Sequence, residues 1–265
     1  MNRTSIEWVK NPDGTPGYTW NPITGCLNGC PYCYARKLAN GRLKQRYLAN
    51  TNTAYMSKFP DIGYSKLTNP FYPRFWEDKL FELNPIARTS KGIFVCDMSD
   101  LFGIGVPDEW TSKVMEQIKL HPEHRFYLLT KQPQNLPREF PENCWVGVTA
   151  TDSDMAFMAV GYLRLIEAKV KFISFEPLLK PVIRWVGDAE YLFKYVDWLI
   201  IGQQTPVSAK TEPKIEDIRE IVEAADKAGI PVFLKDNLSP LIKWPDSGSW
   251  AFENLSNIIR QEMPK

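Results

Sequence analysis

The chain has 265 residues, 44% hydrophobic and 24% charged, with 32 Lys and Arg against 31 Asp and Glu. That composition excludes a disordered or fibrous protein and leaves room for a sizeable core. The opening MNRTSIEWVKNPDG lacks the apolar stretch of a signal peptide, and no apolar run approaches the roughly 20 residues that cross a bilayer, so a cytoplasmic protein with no membrane partner is expected.

The first element to stand out is TWNPITGCLNGCPYCYARKL, Thr19 to Leu38, which holds three of the five cysteines, Cys26, Cys30 and Cys33. In a reducing compartment an odd cysteine count argues against a disulfide framework and points to metal binding or reactivity. Gly25, Gly29 and Pro31 suit a loop, residues 24–35, that folds closely around an inorganic centre. Three thiolates are the informative number, since a structural zinc site takes four closed ligands and an electron-transfer [4Fe–4S] cluster takes four cysteines. A cluster with three cysteines keeps one iron open. The residues alone leave three other readings: zinc completed by His121 or His124, a cluster completed by Cys96 or Cys144, or an inert arrangement.

Next comes a basic segment. Between Arg36 and Trp76 stand eight Lys and Arg (36, 37, 42, 44, 46, 58, 66, 74) against one acid, Asp61, a charge of +7 that leaves about −6 for the remainder. Eight aromatic residues interleave with it: Tyr47, Tyr55, Phe59, Tyr64, Phe71, Tyr72, Phe75 and Trp76. Cations among stacking rings suit a nucleic-acid groove. The same charge suits a dock for an acidic electron donor such as flavodoxin or ferredoxin, and the rings equally suit a core-forming loop after a solvated basic helix.

From residue 92 onward, short runs rich in β-branched and aromatic residues alternate with helical patterns. The runs are 92–98, 125–131, 145–150, 171–177, 197–203 and 230–235, and they read as strands buried on both faces. Helices are expected from about 107 to 120, 155 to 168 and 213 to 229; Pro213 opens the last and Gly229 stops it. Such alternation implies an α/β fold with parallel strands, as a doubly wound sheet or a partial or full (β/α) barrel. A single domain over 1–265 is expected, with a C-terminal extension after about 236. Loops at the C-terminal ends of the strands carry function in either architecture. Those ends include Ser99 and Asp100, Lys131, Thr149, Glu176, Gln203 with Gln204, and Lys235.

The Cys-x3-Cys-x2-Cys spacing, with Tyr32 as the aromatic before the third cysteine, resembles the radical S-adenosylmethionine superfamily. SIEW, TWNPITGCLNGCPYCYA, FVCDMSDLFG, FYLLTKQP, SFEPLL, WLIIGQQT and VFLK are similar, in that order, to an uncharacterised phage- and prokaryote-associated branch of it. The resemblance implies a radical-SAM-like barrel of about six parallel strands and a [4Fe–4S] cluster on Cys26, Cys30 and Cys33. It also implies S-adenosylmethionine as cofactor, cleaved to a 5′-deoxyadenosyl radical for modification or repair of an unidentified substrate. On this reading Tyr32 lies near the adenine, and Ser99 and Asp100 receive the cofactor's ammonium, with capping by Asp100 as the alternative. Glu176 meets a ribose or substrate, or else pairs with Lys131 or Lys180. Thr149 and Gln203 are further cofactor candidates, and Glu176 and Gln204 are the catalytic candidates. Two departures stand out. The branch's Gly-Gly-Glu-Ser is replaced by Gly202-Gln203-Gln204-Thr205, where an amide can only hydrogen-bond, and Met98-Ser99-Asp100 stands in place of the second-strand Gly-Gly-Glu. A different class of function is a metal-stabilised module, with zinc or iron–sulfur, that binds nucleic acid or a partner without turnover.

Overall fold

The structure is a computed structural model that describes residues 1–54, 63–86, 89–184, 187–242 and 259–265. The chain divides into two compact units, Met1–Leu136 with Pro141–Cys144, and Pro137–Phe140 with Trp145–Lys265. Its main sheet has eight strands, four in each unit.

In the first unit, β1 (Asn2–Arg3) pairs antiparallel with β2 (Tyr18–Trp20). After β2 come β3 (Ile23–Thr24), α1 (Tyr34–Asn40), α2 (Lys44–Ala49), α3 (Gly63–Thr68) and β4 (Arg74–Phe75). Strands β3 and β4 form a separate antiparallel pair, Ile23 opposite Phe75. A 3-10 stretch (Glu77–Ile86) leads into β5 (Gly92–Val95), then α4 (Asp108–Leu120) and β6 (Arg125–Thr130). Strands β2, β5 and β6 run parallel, with Thr19 opposite Phe94 and Ile93 opposite Phe126. Helix α4 buries Trp110, Val114 and Ile118, one face at a spacing of four. Each contributes about 1.5–3 kcal/mol of apolar burial, which fixes the helix against the strands it crosses over.

The second unit holds β7 (Cys144–Thr149), α5 (Ser153–Leu163), β8 (Val170–Phe175), α6 (Asp188–Phe193), β9 (Trp198–Ile201), α7 (Ile215–Ala228), β10 (Val232–Leu234) and α8 (Ser239–Ile242). Strands β7 to β10 are parallel in sequence order, with Val148 opposite Ile173 and Phe233 opposite Ile200. Every residue of β7, β9 and β10 is buried, the mark of a parallel sheet covered on both faces. Asp152 caps α5 through the Met155 N–H, and α7 turns Ile218, Ile221, Val222 and Ala225 inward before its stop at Gly229. Residues 259–262 return to β10: Leu234 N–H donates to Arg260 O, and Glu262 N–H to Val232 O. Of the stretch expected to extend past 236, residues 243–258 lie outside the described residues.

All six strands expected from sequence are present, and the fold is α/β on mostly parallel strands. Four more were missed, β1 to β4, because two or three residues are too short to show a period. Among the described residues the strand order of the main sheet is β1-β2-β5-β6-β7-β8-β9-β10. Helix α5 ends at Leu163, five residues short of the expected 168, where the chain turns through Arg164 and Leu165 toward β8.

Candidate functional site

The cysteine loop leaves β3 and is clamped on both sides at once. Gly25 N–H donates to Met98 O at 3.0 Å, Ser99 Oγ donates to Gly25 O at 2.5 Å, and Cys26 N–H donates to Phe71 O at 3.0 Å. Gly25 has φ +85°, and a Cβ there would sit 2.3 Å from Tyr72 O, so no other residue fits without moving backbone. Gly29 also takes a positive φ, 77°, but faces open space. Cys33 is the N-cap of α1, and its Sγ accepts from Arg36 N–H at 3.4 Å; Cys26 Sγ accepts from Asn28 N–H at 3.4 Å. Both sulfurs pack on an apolar cluster of Ala35, Ala39, Tyr47, Phe71 and Met98, and all three cysteines of the loop are half-buried and reduced.

Burial pushes the Cys26 thiol up to about 12, and the charges of Asp100, Cys30 and Cys33 add to that rise against the Asn28 N–H. The donor set, three thiols on one loop, is of the soft kind that suits a thiophilic metal centre. Four ligands on one zinc ion would bring sulfurs to roughly 3.8 Å of one another. Among the described residues, one group of three or more His, Cys, Asp and Glu brings its ligand atoms within 4.8 Å, and it is His121, Glu123 and His124.

Placement speaks against the histidines and Cys144 as further ligands of the loop, whereas Cys96 lies near Asp97 and Asp100. His124 stands immediately before β6 and Lys131 immediately after it, and it is Lys131 that touches the loop's anchor. Seven extended residues separate the histidine from that end by roughly 23 Å. Cys96 and Cys144 are buried, with thiols pushed up to about 12 by burial, and Cys144 begins β7 beside Asn143, whose carbonyl accepts from Phe126 N–H in the second residue of β6. They are small buried hydrophobes.

Asp100 is that anchor. Its carboxylate accepts from Asn28 Nδ2 at 2.8 Å, Lys131 N–H at 2.9 Å and Phe102 N–H at 3.1 Å. Two of these donors come from outside its own turn, which is the capping geometry weighed beside ammonium binding, and Ser99 donates its hydroxyl to Gly25 O. Asp97 beside it accepts from Asn21 Nδ2 at 2.5 Å, and Tyr34 OH donates to Asp97 O at 2.7 Å. Burial raises its pKa against the hydrogen bonds of Asn21, Tyr34 and Thr19. Tyr32 is half-buried with Lys131 Nζ over its ring, 5.9 Å from the centroid.

The basic segment is built differently from the expected groove. Tyr47, Phe71, Tyr72 and Phe75 are buried and Trp76 is half-buried, so these rings are core behind the cysteine loop. Tyr55 and Phe59, and the side chain of Tyr64, lie outside the described residues. Arg74 is also buried, its guanidinium donating to the carbonyls of Tyr47, Tyr72, Lys66 and Leu67 at 2.6–3.3 Å. Lys37, Arg42, Lys44 and Arg46 remain exposed.

In the second unit, Thr149 ends β7 and is buried, and Glu176 follows β8 and pairs with Lys235, not with Lys131 or Lys180. Gln203 follows β9, buried, and bonds reciprocally with Asn237, while its Oε1 has no hydrogen-bond partner. Gln204 is half-buried. The unit thus brings together Glu176 with Lys235, and Gln203 with Asn237.

The model of the family described as "Protein of unknown function (DUF5131)" matches residues 3–240. The chain belongs to this family. No curated protein matches it. Solved structures of spore photoproduct lyase are similar: one complexed with dinucleoside spore photoproduct has 15% identity and a TM-score of 0.42, covering 85% of this chain. The chain spans 65% of that protein's length. A variant of the lyase with the same compound gives 11% identity and a TM-score of 0.49, covering 88% and 81% of the two chains. Another variant gives 12% and 0.46, covering 88% and 80%.

In this DUF5131 chain, sequence reasoning missed Asn21, Asn28, Asp97 and Arg74. The asparagines looked like ordinary turn residues. Nothing in their spacing announces that each reaches more than 70 positions along the chain, Asn21 to Asp97 and Asn28 to Asp100.

Proposed function

We propose that the chain is a radical S-adenosylmethionine enzyme whose [4Fe–4S] cluster is held by Cys26, Cys30 and Cys33. One observation carries the reading: three free thiols on a single loop clamped by backbone hydrogen bonds to Met98 and Phe71. When bound, a three-cysteine cluster supplies low-potential electrons that cleave S-adenosylmethionine to a 5′-deoxyadenosyl radical. The chain's own residues fix the loop and tune its sulfurs. Asn28 and Arg36 N–H groups donate to the sulfurs of Cys26 and Cys33, and such bonds stabilise thiolate and raise a cluster's potential. Asp100 and Ser99 position the loop, and Tyr32 offers a ring for the adenine. Thr149, Glu176 and Gln203 are proposed as cofactor or substrate contacts and Glu176 and Gln204 as catalytic candidates, on the resemblance and their places at strand ends.

The proposed substrate class is nucleic acid, approached by Lys37, Arg42, Lys44 and Arg46, and the proposed electron donor is a flavodoxin or ferredoxin. Anaerobic reconstitution followed by iron and sulfide quantitation should give four irons per chain, and reduction with S-adenosylmethionine should release 5′-deoxyadenosine. Cys30→Ala should abolish both. One zinc per chain with no iron uptake would replace the enzyme with the metal-stabilised binding module.

A further inference from the structure

At the start of β6, away from the cysteine loop, we propose a second and separate metal site, in which His121, Glu123 and His124 bind one divalent ion of the zinc class. The three side chains come from the tetrapeptide HPEH that links α4 to β6. Glu123 Oε1 lies 3.2 Å from His121 Nδ1 and 3.9 Å from His124 Nε2, and one ligand atom from each residue falls within 4.8 Å of the others. The imidazoles stack at 5.9 Å between centroids and 10° between planes, so they present their edges side by side.

His124 supplies the independent observation. Its side chain is wholly buried, and neither ring nitrogen has a hydrogen-bond partner of good geometry, the Glu123 backbone being a polar group that reaches the ring. Buried imidazoles ordinarily satisfy at least one nitrogen, and a metal ligand bond would do so here. The backbone of the turn is fixed independently of any ion: Asn143 Nδ2 donates to Ile118 O at 3.1 Å and His121 O at 3.0 Å, and Ser90 Oγ donates to Glu123 O at 2.5 Å. Two nitrogens and one carboxylate oxygen suit Zn²⁺ and its neighbours rather than Mg²⁺ or Ca²⁺. Glu123 is exposed, which leaves water to fill the remaining position, and it also balances the charge that Lys91 brings near His124. The ion would fasten the C-terminus of α4 to the first residue of β6, a structural use distinct from the chemistry of the cysteine loop.

Co²⁺ titration of the full chain, wild type against Glu123→Ala and His121→Ala, separates this site from the thiols. Glu123 is exposed, so its replacement keeps the fold even if loss of His121 does not. The expected difference spectrum has d–d bands without sulfur charge transfer and corresponds to one ion per chain. Zn²⁺ affinity should fall at least about tenfold in Glu123→Ala. Saturating Zn²⁺ should raise the wild-type melting temperature by roughly 5 °C more than that of Glu123→Ala. Equal uptake and equal melting shifts in wild type and Glu123→Ala would overturn the site, as would a difference spectrum dominated by sulfur charge transfer. Metal taken up by the cysteine loop is common to wild type and Glu123→Ala and cancels in their difference, so the comparison is independent of whether the loop assembles an iron–sulfur cluster.

Discussion

The carboxylate of Asp100 accepts hydrogen bonds from Asn28, Phe102 and Lys131, so one buried charge holds the cysteine loop against the ends of two parallel strands. Replacing it leaves three donors without an acceptor. Asp100→Ala should therefore cost about 3 kcal/mol in urea denaturation, and iron incorporation should fall with it. A variant of wild-type stability that has lost only S-adenosylmethionine binding would restore the ammonium-binding role. Cys26 gives a second residue-scale test. Its thiol is pushed up from 9.0 to about 12, so at pH 8 its thiolate fraction should be roughly a thousandfold below that of an unperturbed thiol. In metal-free protein, mass spectrometry after brief iodoacetamide treatment should find Cys26 unmodified; alkylation at the rate of a free peptide thiol would contradict the burial argument.

At the scale of elements, the loop and the basic segment behave as one built piece. Gly25 sits against Tyr72 O, and Gly25→Ala should lower stability by about 3 kcal/mol, since both its φ and the 2.3 Å approach forbid a Cβ. Gly29→Ala, with the same sign of φ and open space, should lose only about 1 kcal/mol by thermal denaturation. Arg74 is the brace of the segment, and a lysine cannot serve four carbonyls around a planar fork. Arg74→Lys should destabilise by about 2 kcal/mol or more. By contrast Arg42, Lys44 and Arg46 are exposed, and alanine at all three should leave urea stability within about 0.5 kcal/mol per site. The same triple variant should flatten the salt dependence of single-stranded nucleic-acid binding. Should labelled RNA and DNA fail to bind wild type at low salt while flavodoxin binds, the segment is an electron-donor dock.

Across the whole molecule, alkaline pH should be the weak side of the metal-free protein. Cys26, Cys96, Cys144 and Tyr47 are all held at about 12, by burial in each case. The folded chain keeps protons that an unfolded thiol gives up from about pH 8.5. The stabilisation is complete below that pH and is lost as pH rises toward 12, so the urea midpoint should fall steadily from pH 8.5 to 10.5. Lys79, lowered by burial, works in the opposite sense and is one group against four. A flat profile over that range would mean the thiols titrate normally.

Much of this was legible without coordinates because it depends on local sequence. Six strands could be read from β-branched and aromatic runs that are buried on both faces, and α4 and α7 from apolar residues repeating at three and four. The clustering of three cysteines was legible from spacing alone, and the glycines around them announced the loop's tight turns. What only the tertiary structure decided were the partners of polar groups far apart in the chain. Asp100 accepts from Asn28 and Lys131, residues 72 and 31 positions away, which no local pattern announces. Glu176 took Lys235 rather than either expected lysine, and four aromatic rings of the basic segment went inward. The physical reason is common to all of these. Periodicity and spacing are set by the repeat of one helix or strand, whereas a buried charge or ring is placed by whichever distant segment satisfies it, and one sequence records no such pairing.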